Sequence, residues 1–133
     1  MDFLQRRFVR YHLPFLLLML TIFVLSSIPQ DDYPDVGWWG WAKVLHLLLY
    51  GTLCILATRS FAHLDSFPLL ARYTTLAALV AAILYACTDE YHQTFTRGRH
   101  GQVSDVLIDT FGAALFLAAR WLYMRARKGK ERH

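Results

Sequence analysis

The sequence predicts an all-α integral membrane protein, a bundle of four transmembrane helices with both termini on the cytoplasmic side. Three observations predict it. Hydrophobic residues make up 56% of the 133 and charged residues only 18%, a balance more apolar than that of soluble domains. The apolar residues gather into four runs, 11–28, 41–57, 73–88 and 106–123, each flanked by charged or turn residues. Lysines and arginines sit at one set of ends: with the N-terminus inside, all of them except Lys43, Arg97 and Arg99 fall on the inner side, as cytoplasmic ends favour.

The first run follows Arg6, Arg7 and Arg10 and ends in Leu25, Ser26 and Ser27. A cleaved signal peptide has that outline too, but the run is long for one and no A-x-A-like site follows, so it reads as a span. The outer connection, 29–40, is acidic and aromatic, with Asp31, Asp32, Asp35, Trp38 and Trp39. Those tryptophans, with Trp41 and Trp121, suit the headgroup level. The inner connection, 62–72, is a short turn broken by Pro68, and the outer connection 94–102 is tight, carrying Gly98 and Gly101. The tail, 125–133, is basic and expected to fray while anchoring topology. No repeat or second domain is visible, so 1–133 reads as one domain. Cys54 and Cys87 lie within apolar runs without a CxxC spacing, which points to packing. The net charge of +4 and pI of about 9.3 reflect topology and attraction to an anionic leaflet, not nucleic-acid binding.

A hydrocarbon core of about 30 Å needs about 20 helical residues. Several runs reach that length only if their polar outer ends are included, so those ends lie near membrane depth. They carry Lys43 and His46, then Asp89 and Glu90 with Arg97 and Arg99 after them, then Asp105 and Asp109. Counting along each helix puts His46 about 9 Å below the outer boundary, Asp89 and Asp105 about 6 Å, and Asp109 about 12 Å. Ionisable groups are costly there and mark a functional site facing a bundle interior. Spacings of three and four residues place Lys43, His46 and Tyr50 on one stripe, Tyr85, Asp89 and Gln93 on a second, and Asp105, Asp109 and Gly112 on a third. Glu90 lies about 100° round from Asp89, so one of that pair is expected to serve structure. Gly112, Ala113 and Ala114 offer a small surface for close helix approach.

Asp89-Glu90-Tyr91-His92-Gln93-Thr94-Phe95-Thr96-Arg97-Gly98-Arg99, followed by Asp105-Val106-Leu107-Ile108-Asp109-Thr110-Phe111-Gly112-Ala113, resembles the signature of VanZ-like membrane proteins. Upstream, Lys43-x-x-His46-x-x-x-Tyr50-Gly51 is similar to a further element of that family, so the likeness covers 43–112. Asp109 stands where many members carry asparagine, and Arg97 where proline often precedes the Gly-Arg pair. The resemblance implies a multi-pass protein of the bacterial plasma (inner) membrane. The family is named for an accessory protein of glycopeptide (teicoplanin) resistance, and fold-level likeness links it to enzymes that exchange or hydrolyse phospholipid or polyprenyl-lipid headgroups, an analogy weak on its own.

The residue types fit the same chemistry. Attack on a phosphoester needs cationic donors, a base or nucleophile, and an acid for the leaving group. Arg99 and Lys43, with Arg97, suit phosphate. His46 suits a base or nucleophile, its imidazole oriented by Asp105 or Asp89, with Glu90 in the same catalytic set. Tyr50, Gln93 and Asp109 fall on the binding side, where Tyr50 and Gln93 orient other groups and Asp109 bonds between helices. His92 and His100 read as loop or interface residues. Whether the chain is an enzyme is left open: the alternative is a non-catalytic module that binds an envelope lipid, a lipid-linked precursor or a membrane partner. The expected partners are the bilayer and such a lipid, met from the outer side, and no nucleic acid. A purely structural role would be a poor use of so large a cluster, since one membrane hydrogen bond is worth about 0.6 kcal/mol. Transport is disfavoured because the inner halves, such as 53–57 and 73–82, offer no acidic relay. No spacing matches a metal motif and no cofactor is expected, although Asp89, Glu90, Asp105 and Asp109 with His46 leave a divalent cation open.

Overall fold

The computed structural model describes residues 2–32 and 39–130, with Trp39 described by its backbone alone. The aromatic, acidic reading of Asp35, Trp38 and the Trp39 side chain therefore lies outside the described residues. Among those described, the chain is all-helical without strands: α1 (Phe3–Ser26), a single 3-10 turn (Gln30–Asp32), α2 (Trp39–Phe61), the short α3 (Pro68–Arg72), α4 (Thr74–Gln93) and α5 (Val103–Lys130).

Among the described residues, three helical segments are long and apolar enough to cross a membrane: Phe3–Ser26, Gly40–Phe61 and Val103–Lys130. The 20 residues of α4 would reach about 30 Å, but its last turns carry Asp89, Glu90 and Gln93, and it is not among the three.

Helix ends depart from the apolar runs for local reasons. Helix α1 starts at Phe3, where the Asp2 N–H donates to Gln5 Oε1 at 3.1 Å. Its residues Phe8–His12 form a wide π-helical turn just before Pro14, which has no N–H for the carbonyl one turn back and whose ring crowds that carbonyl. Pro68 opens α3, where a missing N–H costs nothing. The expectation of a frayed tail over 125–133 is corrected as far as Lys130, to which α5 continues, while 131–133 lie outside the described residues. Arg127, Lys128 and Lys130 complement the negative end of the helix dipole, and the Arg125 guanidinium lies 5.2 Å from the Trp121 ring centroid one turn back.

Cross-helix partners define the topology. Lys43 meets Asp105, His46 meets Asp109, and Gly112 lies against the backbone of Leu47. The two numbers rise together, so α2 and α5 run parallel. Helix α4 runs against α2, with Tyr85 beside Tyr50 and Glu90 beside His46. Helix α1 also runs against α2, with His12 bonded to Ser60 at one end and Ile22 packed in a cluster with Tyr50 and Leu53 toward the other. Helix α2 is thus the axis around which the other long helices pack.

The packing is built from small residues. Buried positions include Cys54, Ala57, Ala78, Ala82, Ala86 and Ala113, whereas Leu17, Leu20, Phe23, Leu84, Leu107 and Phe111 face outward. Small residues at helix interfaces with large apolar ones outside suit a hydrocarbon surround, where close backbone approach replaces the hydrophobic drive. Gly112 shows the principle, since a Cβ there would collide with the Leu47 carbonyl oxygen. Cys54 packs in the core as expected, but Cys87 is exposed, because its face of α4 turns outward.

Candidate functional site

The parallel register of α2 and α5 builds one wall. Lys43 and His46 are three residues apart and Asp105 and Asp109 four apart, so both pairs meet across the same interface. Lys43 Nζ bonds Asp105 Oδ1 at 2.6 Å, and His46 Nδ1 lies 3.2 Å from Asp109 Oδ1. The carboxylate that orients His46 is therefore Asp109, not Asp105 or Asp89. Asp105 is one turn too close to the helix start and is taken by Lys43. Asp109 is 1% exposed, so its contact with His46 is made away from solvent, in line with the interhelical bond expected of it.

The opposite wall comes from the end of α4. Asp89 and Glu90 are both buried despite their angular separation. Gln93, four residues from one and three from the other, bridges them: its Nε2 donates to Asp89 Oδ2 at 3.2 Å and to Glu90 Oε1 at 3.1 Å. Glu90 also accepts the Gln102 backbone N–H at 2.8 Å. Through that bond Glu90 ties the connection after α4 to the site. Gly98, at φ 74°, supplies the left-handed turn that folds this connection back.

Helix α1 closes the site, which sequence reasoning confined to the last three apolar runs. Arg99 Nε donates to the Ile28 carbonyl at 3.0 Å, Nη2 to the Leu25 carbonyl at 3.3 Å, and Nη1 to Gln93 Oε1 at 3.1 Å. Thr96 Oγ1 donates to the Ser26 carbonyl, the Gln30 N–H to the Arg97 carbonyl, and His92 Nε2 bonds Ser27 Oγ. The carbonyls at a helix C-terminus lack intrahelical donors, so a guanidinium fork there is a general solution. Nothing in the sequence named a partner for this end of the first apolar run.

These walls enclose a cavity of about 420 Å³ lined by Lys43, His46, Tyr50, Asp89, Gln93, Arg99 and Asp105, together with Ile22, Leu25, Ser26, His100 and Gln102. Seven expected site residues thus share one hollow. Glu90 and Asp109 are not on its surface but lie against His46, one donor atom from each of the three falling within 4.8 Å of the others. Arg97 is elsewhere: it is exposed and pairs loosely with Asp31 at 3.6 Å. The turn at Gly98 sends neighbouring arginines to different sides. His100, expected as a loop residue, and Gln102 and the end of α1 are the wall components that sequence reasoning missed.

A family model described as VanZ/LLP1 matches residues 5–124, most of the chain. The chain belongs to the VanZ/LLP1 family. No curated protein and no solved structure matches it. The match reaches beyond the 43–112 motif region to include α1, the helix that completes the cavity in this VanZ/LLP1 protein.

The arrangement joins a histidine held at one nitrogen by a buried carboxylate to cations and acids lining a single hollow. An imidazole fixed at Nδ1 presents Nε2 for proton transfer, and the carboxylate stabilises the imidazolium that results. Lys43 and Arg99 bring positive charge to the same surface.

Proposed function

We propose that this VanZ/LLP1 protein processes phospholipid or polyprenyl-phosphate headgroups at the outer leaflet of a bacterial inner membrane. In this reading α1, α2, α4 and α5 are four spans of a single domain, both termini are cytoplasmic, and the cavity opens toward the outer side. The observation that carries it is the His46–Asp109 pair beside a cavity lined by Lys43, Arg99, Asp89 and Asp105.

The step balances without an added oxidant or reductant. A water or alcohol oxygen attacks phosphorus, His46 takes its proton, and the bond from phosphorus to the leaving headgroup oxygen breaks. His46 then returns that proton to the leaving oxygen, with Asp89 and Asp105 lining the cavity beside it. Lys43 and Arg99 offset charge on the phosphoryl oxygens. Purified protein in nanodiscs, offered phospholipid or polyprenyl phosphate, is expected to release a headgroup product. His46→Ala should reduce that turnover by at least about 100-fold with helix content retained. Equal turnover in the variant removes His46 from the reaction.

A second reading is favoured by one observation: Lys43 already pairs with Asp105, and Arg99 already grips Ile28 and Leu25. A site so braced suits holding an envelope lipid or membrane partner without converting it, as an accessory of glycopeptide resistance would. Saturable lipid binding with no new headgroup in the mass spectrum selects this reading.

A further inference from the structure

His46, Glu90 and Asp109 come from three different helices, α2, α4 and α5, yet offer one nitrogen and two oxygens within 4.8 Å of one another. The His46 Nδ1 to Asp109 Oδ1 separation is 3.2 Å. Two ligands held about 2.1 Å from one ion are about 3.0 Å apart in octahedral and about 3.4 Å apart in tetrahedral geometry. That edge is already at ligand spacing, and the edges to Glu90 close by a shift on the order of 1 Å in flexible carboxyl arms. The bonds that Glu90 accepts here come from neutral amides, those of Gln93 and Gln102. Each carboxylate oxygen has a second lone pair for an ion.

A separate observation points to a ligand at this place. The Tyr50 hydroxyl is buried and has no hydrogen-bond partner among the described residues. Its ring lies parallel to that of His46, with centroids 6.4 Å apart, and lines the same cavity. A buried hydroxyl without a partner is rare in a finished structure and calls for a missing water or ion-bound group.

We propose that His46, Glu90 and Asp109 bind a divalent transition-metal ion, and that the Tyr50 hydroxyl donates to a water on that ion. One imidazole nitrogen with two carboxylate oxygens suits the zinc, manganese and cobalt class better than the all-oxygen sites of magnesium or calcium. The site goes beyond headgroup processing and stands without it. In the loaded protein His46 is a ligand, and the ion-bound water takes over as the group that loses a proton.

Cobalt(II) titrated into the purified protein in detergent tests the site, read by ligand-field absorption and by bound metal per chain. The wild type should bind one equivalent with a saturable band. His46→Ala and Glu90→Gln should lose the band, and His92→Ala, outside the cluster, should keep it. Tyr50→Phe should keep the band but weaken affinity about tenfold, and because it preserves the ring it guards against a folding defect in the other variants. No band in the wild type, or a band of equal affinity in Glu90→Gln, overturns the proposal. The titration contains no lipid substrate, so loss of headgroup turnover and loss of metal binding are separate outcomes.

Discussion

At the level of single residues, the site depends on which neighbour each ionisable group meets. Arg97 and Arg99 are two positions apart, yet the first is an exposed partner of Asp31 and the second clamps the carbonyls that end α1. Arg97→Ala should change stability by no more than about 1 kcal/mol, as for most exposed pairs, and leave lipid turnover or binding unaltered. Arg99→Ala should destabilise by about 2 kcal/mol or more, because hydrogen bonds from a charged donor are worth about 1.5–3 kcal/mol each. Chemical unfolding in detergent checks both. Gly112→Leu should cost at least about 1–3 kcal/mol by overpacking against Leu47, and it should disturb His46 as well, one position along the same contact. The stripes of Lys43 with His46 and Asp105 with Asp109 were legible from helical spacing alone. Their pairing was not, because periodicity within a helix says nothing about the axial offset between two helices, and that offset gives Asp109 to His46.

At the level of elements, α1 is the part the sequence concealed. Its apolar face reads as a plain span, and its contribution is made through backbone carbonyls, which every residue has. Its two ends are pinned differently. The C-terminal end is held by Arg99 and Thr96, and the N-terminal end by Arg7, which bonds Asp65 at 2.7 Å. The Arg7 guanidinium holds the Asp65 carboxyl below its ordinary value. A carboxylate whose folded value is lowered contributes above its unfolded value and loses that contribution as pH falls through the lowered one. Hydrogen exchange at the first turn of α1 should therefore rise only on acidification below the usual carboxylate range, and Asp65→Asn should abolish that pH dependence. The length of α5 was likewise misjudged, since its polar last turns look like a tail until the basic residues are placed against the helix dipole.

Across the whole molecule, small buried residues and large outward ones agree with the composition that predicted a membrane protein, while the site lies at one end of the bundle. The proposed orientation puts Lys43, Arg97 and Arg99 outside and the basic end of α5 inside. With Cys54 and Cys87 replaced by alanine, a cysteine at His100 should react with an impermeant maleimide added to intact cells, and one at Lys128 should react only after lysis. Reversed labelling would invert the topology and move the cavity to the inner leaflet. Chemistry at that cavity must leave a trace in the lipids around it. Untargeted mass spectrometry should compare membranes carrying the wild type, the His46→Ala variant and no protein at all. A headgroup species altered only by the wild type is the expected result; identical lipid profiles in all three would contradict headgroup processing.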